Sequence, residues 1–285
     1  MTNPVEGDIQ RQPAHDPESR AGAVLVAHGL NLRPERMGPL AAVVEGWGLR
    51  TKHVVLHGHG PNDTTRTFAA ATGDIWQSDM IAALGRGTGP APAIVAYSLG
   101  ALCYLAALAH LKEESPADYR EPAAHILLAP ALIPRAWSQL FRLGWFWPGL
   151  VIPSLNPISY RRHKGTPIGA YRALAALMVR FRRAVAGGFR LENPVLMAIH
   201  PGDELVSPRK TEHLLRSACA REEGFRLLML NNRDATIRPK FAHLILDADC
   251  LGPREFQRLS KAIGAVLKEG RLAHAHSSRL EATEH

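Results

Sequence analysis

At 285 residues, with 46% hydrophobic and 21% charged positions, the chain has ordinary globular usage; this excludes disordered and collagen-like classes, and the length suffices for one core burying about three quarters of the unfolded surface. The formal charge is +8, yet the three cysteines, Cys103, Cys219 and Cys250, form no C-x-x-C pair and point to a reducing compartment rather than a disulfide framework. The first twenty residues carry six charges and no apolar h-region, and the longest apolar run, 143–155, is broken by Pro148 and Pro153, so neither a secretory signal nor a membrane span is expected and the protein reads as cytoplasmic.

After a polar tail over 1–21, short apolar runs alternate with longer amphipathic stretches, the pattern of a parallel sheet wrapped by crossover helices. Residues 23–27 (AVLVA) read as the first strand, 36–48 as a helix, and 51–56 (TKHVVL) as the second strand. A turn at Pro61, Asn62 and Asp63 leads into a helical pattern over 64–84. The third strand is 93–97 (AIVAY), followed at once by an apolar helix over 99–111. Strands follow at 125–128 (HILL), 195–199 (VLMAI) and 226–230 (RLLML), with helices over 208–220 and 253–268 and a histidine-bearing tail over 271–285. Both tails read as mobile. The expected fold is thus α/β, a mostly parallel sheet of about six strands with helices on both faces, its core formed by 22–130 and 191–270.

The stretch 131–190 breaks this rhythm with about sixty residues between two strands, far beyond an ordinary connection. It reads as an inserted helical cap. It holds ten Lys or Arg and no Asp or Glu, so the rest of the chain is net negative. It also holds Trp137, Phe141, Trp145, Phe146 and Trp147. Aromatic wedges mixed with cations suit a lid over an acyl pocket, an anionic membrane surface or an acidic substrate group, and they equally suit a packed insertion whose arginines face water. Trp145, Phe146 and Trp147 are the candidate substrate-pocket residues. No nucleic-acid motif accompanies the charge, so no nucleic-acid partner is expected.

Chemistry concentrates at Ala96-Tyr97-Ser98-Leu99-Gly100, where a buried strand gives way to an apolar helix. That is the setting of a nucleophile elbow, with small residues, Ala96 and Gly100, two before and two after the serine so that the turn can close. A serine hydroxyl needs a base to take its proton, and a tight strand-to-helix turn holds it where a base can reach. Read plainly, Ser98 is a helix N-cap. Upstream, Ala27-His28-Gly29-Leu30 ends the first strand with a glycine turn at the sheet's carboxyl edge, where α/β proteins bind ligands. If the elbow holds, the N–H groups of Leu30 and Leu99 would face a developing oxyanion; otherwise Gly29 is an ordinary turn with His28 packed behind it.

AVLVAHGLN, the Gly58-His59-Gly60 turn and AYSLGA together resemble the α/β-hydrolase family, especially compact bacterial carboxylesterases and monoacylglycerol lipases. The resemblance implies a triad ordered serine, acid, histidine, the last two after the final strands. It carries the acid to Asp203, in His200-Pro201-Gly202-Asp203-Glu204-Leu205-Val206, with Glu204 as its nearest rival, and the base to His243, beyond the last strand. Ala96 in place of a first elbow glycine, a forty-residue gap from Asp203 to His243, and the lack of leading antiparallel strands depart from the family pattern. None removes a chemical group. His53, His57 and His59 have alternating spacing, but no neighbouring carboxylate or cysteine completes a metal set. The expectation is a serine hydrolase of acyl esters such as monoacylglycerols or lysophospholipids, with no cofactor. Thioester hydrolysis and acyl transfer would use the same residues, and a non-catalytic scaffold binding an anionic partner through the cap is the rival from another class.

Overall fold

The computed structural model describes residues 23–85, 93–117, 119–136, 146–238 and 240–281. In chain order the elements are β1 (Val24–Ala27), α1 (Gly38–Gly46), β2 (Thr51–Val54), α2 (Thr65–Ala69), α3 (Gly73–Leu84), β3 (Ile94–Tyr97), α4 (Leu99–Glu114) and β4 (His125–Leu128). There follow β5 (Val151–Pro153), β6 (Gly165–Pro167), α5 (Ile168–Ala186), β7 (Val195–Ile199), α6 (Pro208–Ala218), β8 (Phe225–Met229), α7 (Ala248–Leu251) and α8 (Pro253–Glu281). The tail over 1–21 and the aromatics Trp137, Phe141 and Trp145 lie outside the described residues.

Six strands form one parallel sheet in the order β2-β1-β3-β4-β7-β8. Every residue of β1, β3, β4 and β7 is buried, because helices cover both faces and an interior parallel strand has no wet side. The edge strands β2 and β8 expose residues instead. Helices α1 and α8 pack together, while α3, α4, α5 and α6 meet in sequence in a second layer. The chain leaves β1 toward one edge and returns through β3 toward the other, so the order reverses between them. The carboxyl ends of strands at such a reversal form a crevice. In register, Ala27 lies beside Ala96, which brings the turn after β1 against the turn after β3.

Three elements differ from the sequence reading for identifiable reasons. The single helix expected over 64–84 is two, because two threonines cap in succession: the Thr64 hydroxyl accepts from Thr67 N and the Thr72 hydroxyl from Ile75 N, each at 3.2 Å. Strand β2 stops at Val54, since the Leu56 N–H turns away to the Nε2 of His28 at 3.1 Å. Helix α8 passes Gly270 and runs to Glu281. Gly270 is a point of close approach rather than a helix end: a Cβ there would come within 2.2 Å of the Ala123 carbonyl oxygen.

The segment 131–190 contains, among its described residues, the antiparallel β5–β6 hairpin and the nineteen-residue α5. Ala173, Leu177, Phe181 and Val185 of α5 are buried at four-residue spacing, and the helix packs on α3, α4 and α6. Much of this segment therefore covers the sheet's own helical layer. Its basic groups are partly structural: Arg162 donates to the carbonyls of Gly60 and Pro61, and Arg180 pairs with Asp74. Among the described residues no helix is long and apolar enough to cross a membrane.

Candidate active site

Four loops at the carboxyl edge of the sheet converge. Ser98 sits between β3 and α4 with φ 51° and ψ −110°, a conformation that a non-glycine residue holds only under constraint. Its constraint is visible: Ser98 N donates to Leu128 O at 2.9 Å, and its carbonyl accepts from Leu102 N and Ala131 N at 3.2 Å. Strand β4 and helix α4 thus fasten the turn from both sides.

The Ser98 hydroxyl lies 2.9 Å from Nε2 of His243, and the His243 Nδ1 lies 2.7 Å from Oδ2 of Asp203. All three side chains are buried or nearly so. A carboxylate only accepts, so Nδ1 carries the proton and donates, which leaves Nε2 free to accept from the serine. Burial drives the Asp203 carboxyl up, but the facing imidazole and the N–H groups of Val206 and Leu205 on its other oxygen outweigh this and hold it below the usual carboxylate value. Asp203 is therefore ionised at neutral pH.

Glu204, the adjacent carboxylate, turns the other way. Its Oε1 accepts from Ala242 N at 2.8 Å and its Oε2 from His243 N at 3.0 Å. It grips the backbone of the histidine loop while Asp203 meets the ring. The Tyr97 hydroxyl adds a third hold by donating to the His243 carbonyl at 3.1 Å, and Arg135 Nε donates to the Asp203 carbonyl. None of these positioning contacts was legible in the sequence, beyond the nearness of Glu204 to Asp203.

The turn after β1 is set by two buried histidines. His28 donates through Nδ1 to Gly29 O at 2.9 Å while its Nε2 accepts from Leu56 N. His59 accepts at Nε2 from Asn31 N at 3.0 Å. Asn31, at φ 51°, exchanges two side-chain hydrogen bonds with the backbone of His163, at 2.7 and 3.1 Å. The result is a rigid Gly29–Asn31 turn, tied to the β2 turn below and to 161–163 above. Leu30 N and Leu99 N, the latter first in α4 where no helical carbonyl can reach it, find no acceptor among the described residues. His53, His57 and His59 do not converge on a metal set; among the described residues no group of three potential ligands does.

Burial lowers the His28 pKa from 6.5 to about 4, and burial together with the neighbouring His28 ring lowers that of His59 well below 6.5. A native state that binds fewer protons than the unfolded chain loses stability as pH falls through this window. About 3 kcal/mol of unfolding free energy is expected to disappear between pH 7 and pH 4 from His28 alone. Urea titrations at pH 7, 5.5 and 4 check this against His28→Phe, which starts less stable and should decline less; parallel declines would refute the assignment.

A cavity of about 1310 Å³ opens on this constellation, lined near it by Leu30, Tyr97, Ile133, Leu205, Val206 and Phe241. Of the expected pocket aromatics, Phe146 and Trp147 are not in its wall; they are 86% and 65% exposed. They precede the β5–β6 hairpin, and it is Ile152 to Asn156 of that hairpin that face the cavity.

No protein-family model and no curated protein matches the sequence. Among solved structures the chain is similar to a metagenome-derived lipolytic enzyme, at 21% identity and TM-score 0.68 over 87% of this chain and 95% of that one. It is similar also to a soluble variant of the monoglyceride lipase of Saccharomyces cerevisiae, at 13% and 0.65 over 88% and 87%. A third is the monoacylglycerol lipase of Paleococcus ferrophilus, at 17% and 0.59 over 87% and 95%. These lipases and esterases are α/β-hydrolase-fold proteins, and the present chain has that fold.

Proposed function

We propose that the protein is a serine-dependent carboxylic ester hydrolase that works through an acyl-enzyme. The observation that carries this reading is the relay from Ser98 through His243 to Asp203, at 2.9 and 2.7 Å, opening on an apolar-walled cavity. His243 takes the Ser98 proton as the oxygen attacks the acyl carbonyl, and Asp203 holds the ring in its Nδ1–H tautomer and stabilises the imidazolium. The tetrahedral oxyanion forms beside the Leu30 and Leu99 amides, whose fixed N–H groups supply several kcal/mol of transition-state stabilisation. The imidazolium then protonates the departing alcohol, and water, activated by the same imidazole, releases the acid.

The largely aliphatic part of the cavity wall and the cavity's size suit an acyl chain of medium to long length, as in a monoacylglycerol or lysophospholipid. Lipolytic neighbours among the solved structures favour the same class. Substrate delivery from a lipid surface belongs to this reading: Phe146, Trp147, Leu150 and Ile158 are all exposed beside the hairpin that walls the cavity, within the basic segment.

A fluorophosphonate probe tests the proposal. It is expected to label the protein once, at Ser98, with no labelling of Ser98→Ala. Absence of labelling in the folded wild type would favour a non-catalytic protein, and labelling that survives Ser98→Ala would move the nucleophile elsewhere.

A further inference from the structure

Beyond the reacting atoms, the cavity continues along the trough between α5 and α6. Tyr171, Leu174, Met178 and Arg182 of α5 line it at three- and four-residue intervals, so one stripe of the helix faces inward over about 16 Å. That stripe begins apolar and ends in a cation. Facing it on α6, Lys210, His213, Leu214 and Ser217 line the trough from one face of the helix, at i, i+3, i+4 and i+7, with Arg209 beside them.

The charges here have one sign. Arg182, Arg190, Arg209 and Lys210 all line the cavity, and no carboxylate does among the described residues. Arg182 and Arg190 each spend N–H groups on carbonyls of their own neighbourhood, but among the described residues neither meets an acid. The side chains of Arg209 and Lys210 have no hydrogen bond or ion pair among the described residues, and the acid closest to them along α6, Glu212, is engaged by Arg216 at 3.0 Å. They stand in the first turn of α6, which holds no acidic residue. Cations in that turn oppose the helix dipole, so their placement works against the stability of the helix. An anionic group in the trough would relieve this.

We infer that the ester accepted at Ser98 carries an anionic group, a phosphate or a carboxylate, held in the trough by Arg182, Arg209 and Lys210. The hydrocarbon part of the substrate then lies against Leu174, Met178 and Leu214. This assignment rests on the proposed ester hydrolysis at Ser98 and narrows its substrate class to the anionic amphiphiles.

The test compares kcat/KM for esters matched in chain length. A neutral monoacylglycerol is set against the corresponding acyl glycerol phosphate, which puts the anion on the leaving group. A neutral methyl ester is set against the methyl half-ester of a dicarboxylic acid, which puts it on the acyl group. At low ionic strength at least one anionic ester is expected to exceed its neutral partner by about tenfold or more, and the pair in which this happens identifies the side that enters the trough. Added salt should shrink the advantage, and Arg209→Gln/Lys210→Gln should bring the ratio toward one. Because the result is a ratio within one preparation, a general loss of folding cannot imitate it, and the salt series on the wild type decides the matter if the double variant does not fold. Equal or better turnover of the neutral esters, still abolished by Ser98→Ala, would overturn the anionic-substrate inference and leave ester hydrolysis standing. Turnover that survives Ser98→Ala would overturn both.

Discussion

Alanine at His243 is expected to lower kcat for a mid-length p-nitrophenyl ester by about 10⁴- to 10⁶-fold, close to the loss from alanine at Ser98, and the double variant should be no worse than the weaker single one. In the proposed mechanism the hydroxyl and the imidazole act as one device. Without Nε2 at 2.9 Å the hydroxyl keeps its proton, and without the hydroxyl the imidazole has nothing to activate except water. The residual rate would come from binding and from the Leu30 and Leu99 amides. Folding should survive His243→Ala, because Glu204 and Tyr97 hold the loop through the backbone N–H and carbonyl of position 243 and not through its ring. Single-turnover kinetics with a circular-dichroism check on folding would decide. Losses that multiply in the double variant, or a single loss below tenfold, would contradict a shared relay.

Gly100→Ala is expected to be nearly as damaging to kcat/KM, at about 100-fold or more, while also removing roughly 1–3 kcal/mol of stability. A Cβ at position 100 would stand 2.6 Å from the His28 carbonyl oxygen and 2.9 Å from both the carbonyl carbon and the Cβ of Ala27. These are atoms of a buried strand and its turn, with no flexible side-chain end to swing aside. Helix α4 and strand β1 would have to separate, and the parts displaced carry Leu99 N and Leu30 N, the two donors that share the oxyanion in the proposed mechanism. Gly46→Ala is the matched control: the added Cβ meets nothing within 4 Å, so stability and turnover should stay near the wild type. Thermal melts and steady-state rates on both variants separate a local clash from a general intolerance of substitution. Wild-type turnover in Gly100→Ala would mean that the two turns need not touch.

Strand and helix alternation was legible because it is written in near-neighbour periodicity: β1, β3 and β4 are apolar apart from Tyr97 and His125, and their positions agree with the reading to within a residue or two. The elbow was legible for the same reason, as a short motif whose chemistry follows from its flanks. Asp203 and His243 were reached by resemblance, since nothing local to an acidic loop or to one of fourteen histidines declares a role.

The rest depended on contacts between residues far apart in the chain. Ser98 and His243 are separated by 145 positions, and only the parallel order of β3, β7 and β8 brings their loops to one edge. Asp203 and Glu204 are chemically alike and adjacent, so their division of labour, one on the ring and one on the loop backbone, is set by the direction in which the turn after β7 projects each side chain. Phe146 and Trp147 read as pocket residues by composition, but which side of a hairpin faces a cavity is a property of packing. Amino-acid order by itself determined the layers, the elbow and the charge of the 131–190 segment; tertiary structure alone decided which groups meet, because hydrogen bonding and burial act over a few ångströms in space regardless of distance along the chain.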